Sequence, residues 1–297
     1  MGYIKLNTYN EVLIMLNFPI GVIVNSFRTD IPTAVKKAAE IGAKGIQVYA
    51  TKGEMSPEEL VGSKRSEFKK LVEDNGLVIS ALCGDLGGGG FMHADINPEK
   101  IERSKRILDL AKELGTDVVT THIGVVPEDP SIERFKIMQD ACRQLAEYAD
   151  SIEAHFAVET GPETSATLKM FLDSLESRGV SVNLDPANLV MVTGDDPAKA
   201  VHNLKDYIVH THAKDGKNLY YKNPDFIYGV AKELVESDPS FLEVPLGEGQ
   251  VNWNEYLTAL NDIGYKGFLT IEREVGENPE ADIRKAVSFL NDTMAAL

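Results

Sequence analysis

Four acidic or imidazole side chains stand at the ends of short apolar runs, and their types suit a divalent cation. They are Glu159 in "FAVETG" (156–161), Asp185 in "VNLDPANL" (182–189), His212 in "VHTHAKDG" (209–216) and Glu272 in "GFLTIERE" (267–274). Successive side chains of a β-strand point to opposite faces, so parity decides which of them share one. Val180, Val182 and Leu184 alternate with Ser181, Asn183 and Asp185. Leu269 and Ile271 alternate with Thr270 and Glu272, and Phe156 and Val158 alternate with Ala157 and Glu159. In the run 207–215, Tyr207, Val209 and Thr211 form one face, and Ile208, His210, His212 and Lys214 form the other. Thr120 and His122 share a parity in 116–124. Carboxylates brought together in an interior repel and raise each other's pKa values, and each is costly to keep charged there. A shared divalent cation removes both difficulties. Carboxylate oxygens with one imidazole suit Mn²⁺, or Mg²⁺, Co²⁺ or Fe²⁺, better than a thiolate-type zinc site.

For these residues to meet, their strands must be parallel members of one closed sheet. Apolar runs at 19–27, 44–50, 77–84, 116–124, 155–161, 180–188, 207–215 and 267–274 read as strands. Amphipathic runs at 30–42, 56–76, 97–115, 132–152, 164–179, 196–206, 252–264 and 279–297 read as helices between and after them. Asp30, Ser56 and Asn97-Pro98 open three of these helices, and Gly42, Gly76 and Gly115 close them. Strict strand–helix alternation of this length predicts a single (β/α)8 TIM barrel spanning residues 1–297. A long connection follows the seventh strand, at about 214–250, and 224–237 within it reads as an added helix. The glycine-rich piece "GDLGGGGF" (84–91) reads as a mobile loop at the barrel mouth.

Composition narrows the partners. The 297 residues include 30 Lys+Arg and 46 Asp+Glu, a formal net charge of −16. Such a surface repels phosphate backbones, so no nucleic-acid partner is expected. The two cysteines, Cys83 and Cys142, form no C-x-x-C pair and read as reduced core thiols. The apolar run "VLIML" near the N-terminus is too short and too interrupted for a signal peptide or a membrane span. A cytoplasmic protein without a membrane partner is expected. His155, at a strand start, and His202, on a helix, read as structural, and His93 reads as solvent-facing.

At "VVTTHIG" (118–124), "FAVETG", "VNLDPANL", "VHTHAKDG", "PLGEGQVNW" (245–253) and "GFLTIERE" the sequence resembles the xylose-isomerase-like barrel superfamily of sugar isomerases and epimerases. The resemblance covers nearly the whole chain. In ketose 3-epimerases of that superfamily, Glu, Asp, His and Glu bind one divalent metal, commonly Mn²⁺. Here the matching residues are Glu159, Asp185, His212 and Glu272, with His210 one layer below as a supporting group. Two positions depart from the epimerase pattern. Asn188 stands where a His is usual, and Lys214 and Lys217 are the nearest cations to an expected sugar-binding Arg. The resemblance implies a metal-dependent isomerase or epimerase that abstracts a proton beside a carbonyl through an enediolate. Glu159 and Glu272 would exchange the proton, and His122, Glu163, Asn188 and Lys214 would face the sugar. The same intermediate leads to lyase or dehydratase chemistry on inososes or 3-keto-glycosides. An endonuclease IV-like phosphodiesterase is disfavoured, because Phe241-Leu242-Glu243 stands where that group carries Asp-x-His. A non-catalytic sugar binder is a third alternative. A small-molecule sugar substrate and a homodimer or homotetramer are expected.

Overall fold

The computed structural model describes residues 16–232 and 238–297. The first barrel strand, Ile20–Ile23, pairs in parallel with both Gly45–Tyr49 and Leu269–Ile271, and that second pairing closes the sheet. Val78–Cys83, Val118–Thr121, His155–Glu159, Val180–Leu184 and Ile208–Ala213 complete a closed parallel barrel. Helices cover the outside, and local chemistry starts and stops them. Asp30 accepts the Thr33 N–H to cap Ile31–Glu40, and Thr164 accepts the Thr167 N–H to cap Ser165–Asp173. Asp196 caps Pro197–Leu204, Asn252 caps Trp253–Asp262, and Asn278 caps Pro279–Ala296. Gly115 adopts a left-handed conformation and ends Asn97–Leu114.

The main core lies between sheet and helices, where Phe156, Val182 and Ile271 from strands meet Leu108, Phe171 and Leu290 from helices. A separate small cluster, Ala81, Val118 and Ala157, is packed by Val209. Val209 therefore does not share the outer face with Thr211, as simple alternation predicts. The pairing runs Val182↔Ile208 and then Asn183↔His210, so Val209 is an extra residue in a bulge. A bulge reverses parity below it. Ile208 consequently joins the outer core, and Val209 replaces it beneath the inward-facing His210.

Several predicted boundaries move. The helix expected from Ser56 begins at Ser63, because Gly62 takes φ 58° and breaks the chain direction. Ser56 and Leu60 instead close a separate turn. The strand expected at 19–27 gives way to a 3₁₀ turn, Val24–Phe27. The strand expected to reach residue 188 ends at Leu184, and Asp185 caps the turn Pro186–Asn188, followed by a π-helical turn over Leu189–Thr193. The helix expected over 164–179 stops at Asp173. The long connection contains an antiparallel hairpin of Asp215–Asn218 with Phe241–Val244, which was not foreseen. The helix expected at 224–237 is reduced to Pro224–Ile227 among the described residues, and 233–237 lie outside them. The N-terminal run up to residue 15 also lies outside the described residues. No helix of the described residues is long and apolar enough to cross a membrane.

The glycine-rich loop expected to be mobile is tied down. Gly87, Gly88, Gly89 and Gly90 all take positive φ, between 58° and 71°. This coil gathers the carbonyls of Gly87, Gly88 and Gly90 onto Lys100 Nζ, at 2.6, 3.1 and 2.5 Å.

Candidate metal centre

Glu159 ends the fifth strand, Asp185 follows the sixth, His212 lies near the end of the seventh and Glu272 follows the eighth. One ligand atom from each lies within 4.8 Å of all the others. All four side chains are buried. His212 Nδ1 is 3.5 Å from Glu159 Oε2, 3.6 Å from Asp185 Oδ2 and 3.3 Å from Glu272 Oε2. Asp185 Oδ1 accepts the Asn188 N–H at 2.9 Å, but its buried Oδ2 has no hydrogen-bond partner. A buried oxygen of this kind is costly unless something else neutralises it. The donor set and the orphaned oxygen both fit a hard divalent cation.

The imidazole is oriented from behind. Gln47 Nε2 donates to Thr120 Oγ1 at 2.9 Å, which turns Gln47 Oε1 toward the histidines. That oxygen lies 3.2 Å from His212 Nε2 and 3.1 Å from His210 Nε2. The arrangement favours the Nε2–H tautomer of His212 and leaves the Nδ1 lone pair facing the carboxylates. His210 lies 6.0 Å from His212 between ring centroids, with Thr270 Oγ1 2.9 Å from its Nε2. Burial and the neighbouring His212 push the His210 pKa down to about 3, so it is neutral.

The carboxylates are held by amides and an ammonium. Asn188 Nδ2 donates to Glu159 Oε1 at 2.9 Å, and Asn183 Nδ2 donates to Glu159 Oε2 at 3.3 Å. Burial pushes the Glu159 pKa up, but His122 and His212 pull it below the ordinary value. Lys214 Nζ contacts Glu272 Oε2 at 3.0 Å and Glu274 Oε2 at 2.7 Å, with Asp185 Oδ2 at 3.9 Å. Burial disfavours the Lys214 charge, yet Glu272, Asp185 and Glu274 raise its pKa well above the usual value. Burial likewise opposes ionisation of Glu272, but Lys214 and His212 hold it well below the usual carboxylate range. Burial also disfavours the His212 cation, but Glu159 and Glu272 raise its pKa well above the usual value. A protonated His212 and Lys214 thus offset two of the three carboxylate charges and leave an excess of negative charge. A divalent cation bound there would neutralise that excess and take the place of the His212 proton.

Above this floor opens a cavity of about 540 Å³, reached by Gln47, His122, Asn188 and Lys214. His122 Nε2 is 3.7 Å from Glu159 Oε1. Glu163 is not among the residues lining it. It lines a neighbouring hollow of about 470 Å³ with Arg134 and Asp225, and it accepts the Val126 N–H at 3.3 Å. Cys83 lines the cavity, but burial pushes its thiol up to about 12, so it is inert there. His155 pairs with Ser181 Oγ at 2.9 Å at the start of its strand, away from the centre.

The "HAKD" and "LGEG" pieces form one device. The buried Asp215 carboxylate accepts from the N–H groups of Gly216, Gly247, Gly249 and Val251 and from Trp253 Nε1, at 2.9 to 3.2 Å. A Cβ on Gly249 would fall far inside contact distance of Asp215 Oδ1, so only glycine permits the approach. This clamp fixes the strand end that carries His212 and Lys214. Gln47 and Asn183 are the supporting residues that the sequence reading passed over. Their signal was an amide on the polar parity of an otherwise apolar strand.

The chain matches the model of the xylose isomerase-like TIM barrel family over residues 35–293, and it belongs to that family. The protein YfiH of Bacillus subtilis (strain 168), itself uncharacterised, is 25% identical over 87% of this chain and 93% of its own length. The inosose dehydratase of Lacticaseibacillus casei is 26% identical over 47% of this chain and 47% of its own length, so the likeness spans about half of that enzyme. Among solved structures, a D-psicose 3-epimerase determined in the presence of D-fructose superposes with a TM-score of 0.70 at 16% identity, covering 94% of this chain and all of that one. That likeness is one of fold.

Proposed function

We propose that the protein is a divalent-metal-dependent sugar isomerase or epimerase that moves a proton beside the carbonyl of a ketose or keto-sugar. The observation that carries this reading is the convergence of Glu159, Asp185, His212 and Glu272 within 4.8 Å at the floor of a closed-barrel cavity. When bound there, a cation such as Mn²⁺ supplies Lewis-acid stabilisation to a substrate carbonyl and the enediolate derived from it. The Asn183 and Asn188 amides orient Glu159, and Lys214 orients Glu272, so both carboxylates start ionised. One of them takes the proton, and the other returns a proton to the same or the neighbouring carbon. His122 and Asn188 line the cavity where sugar hydroxyls would lie.

A second reading is elimination from the same intermediate, as in a dehydratase. It is favoured by Lys214, a buried ammonium lining the cavity in contact with Glu272, which can hydrogen-bond a departing β-hydroxyl while the carboxylic acid formed in the first step returns its proton so that the group leaves as water. The test incubates the protein with Mn²⁺, then with EDTA, in D₂O with ketoses, inososes and 3-keto-glucosides. Metal-dependent deuterium uptake at one carbon is expected. Loss of water after uptake selects the second reading, and absence of uptake into every substrate with metal bound refutes both.

A further inference from the structure

The cavity changes character with height. Its floor is carboxylate, imidazole and amide, but its upper wall carries a group of apolar side chains interspersed with carboxylates. Met191 comes from the turn after Asp185, Ile227 and Tyr228 from the end of the short helix, Phe241 and Leu242 from the inserted hairpin, and Val275 from beyond the last strand. Leu242 is 51% exposed and Val275 is 45% exposed. Apolar side chains left open at the rim of a ligand cavity mark surface that the ligand covers.

Volume and charge restrict what covers it. A cavity of about 540 Å³ falls in the range of drug-sized ligands, roughly 300–1,000 Å³, and one hexose ring on the floor leaves its upper part unfilled. The wall also carries Asp85, Glu243 and Glu274. Among the described lining residues the ammonium is that of Lys214, which is buried between Glu272 and Glu274. Among the described lining residues, a phosphate on the outer part of the ligand would meet the carboxylates of Asp85, Glu243 and Glu274, with the Lys214 ammonium already paired. The upper wall is mainly aliphatic, which suits a flat apolar group better than a second hydroxylated ring.

We propose that the substrate is a keto-glycoside whose oxidised sugar ring lies on the polar floor and whose uncharged, aryl-type aglycone lies against Leu242, Phe241 and Val275. This rests on the sugar-enzyme reading above and names its substrate class. The test measures binding, by calorimetry on the full-length Mg²⁺-loaded protein, of p-nitrophenyl and methyl D-glucopyranosides, both anomers of each, and of cellobiose. The aryl glycoside is expected to bind at least about tenfold tighter than its methyl counterpart. That is about 1.4 kcal/mol, equivalent to covering about 55 Å² of apolar surface. Leu242→Ser together with Val275→Ser should reduce the preference to less than about threefold while leaving methyl glucoside affinity and the thermal midpoint unchanged. Both sites are half open, so folding is not at risk. Equal binding of aryl and methyl glycosides, binding of neither, cellobiose as tight as the aryl glycoside, or a preference that survives the double substitution each overturns the proposal. These probes do not react, so a failed binding preference leaves the proton-exchange chemistry standing. A failed exchange assay leaves the binding preference readable.

Discussion

Glu163 should lower stability as pH rises, and Glu163→Gln should remove its share of that dependence. The residue is 6% exposed, and among the described residues only the Val126 N–H reaches its carboxyl, leaving Oε1 without a partner. Burial raises its pKa from 4.5 to about 8. Below pH 4.5 folded and unfolded chains both hold the proton, and the group contributes nothing. Between 4.5 and about 8 the unfolded chain releases the proton while the folded one keeps it, so unfolding becomes progressively easier. At about 1.4 kcal/mol per pH unit, the loss amounts to roughly 1 kcal/mol at pH 5.5 and roughly 5 kcal/mol at pH 8.5. Gln keeps an acceptor for Val126 and cannot ionise. Any cost of burying its NH₂ group is the same at both pH values. Urea unfolding followed by the fluorescence of Trp253, the chain's one tryptophan, compares the two proteins at each pH. The difference in stability between Glu163→Gln and wild type should shift in favour of the variant by roughly 3–4 kcal/mol between pH 5.5 and 8.5. A constant difference across that range would refute the claim that burial keeps this carboxyl protonated.

Metal binding should expel the His212 proton, so Mn²⁺ affinity should rise about tenfold per pH unit until pH passes the raised pKa of His212. Calorimetry in buffers of different ionisation enthalpy would count that proton, and a pH-independent affinity would contradict the assignment of Nδ1 as ligand. Glu159→Gln and Glu272→Gln should each lower deuterium exchange by about 100- to 10,000-fold while the far-UV spectrum stays unchanged. Exchange at the wild-type rate in either variant would remove that residue from the proton path. Asp215→Ala strands the backbone and indole donors that meet on it and should cost more than about 4 kcal/mol in urea unfolding. Gly249→Ala should be destabilising for the same reason, since its Cβ would displace the carboxylate. A loss below about 1 kcal/mol in both would show that the clamp is dispensable.

What the sequence determined by itself was local or periodic. Alternation of apolar and polar residues marked the strands, and parity placed Glu159, Asp185 and Glu272 at inward-facing strand ends. The cap Asp30 and the stop at Gly115 were readable because a helix terminus is a matter of a few adjacent residues, whereas Asn97, expected to cap its helix, is the first helical residue and instead donates its amide to the Phe91 carbonyl. Family resemblance and parity, read together, selected the four residues that meet within 4.8 Å. Tertiary structure decided what depends on partners distant in the chain. The bulge at Val209 comes from registering one strand against its neighbour, so alternation within the strand does not reveal it. The hairpin of Asp215–Asn218 with Phe241–Val244 is a pairing across a long connection, and neither segment announces it alone. Gln47 supports His212 because the closed barrel brings the second strand opposite the seventh across its bore. Glu163 was expected to face the sugar, and only the packing of its surroundings shows it turned into a separate hollow. Periodicity reports which face a side chain takes, whereas closure of the barrel decides what stands across from it.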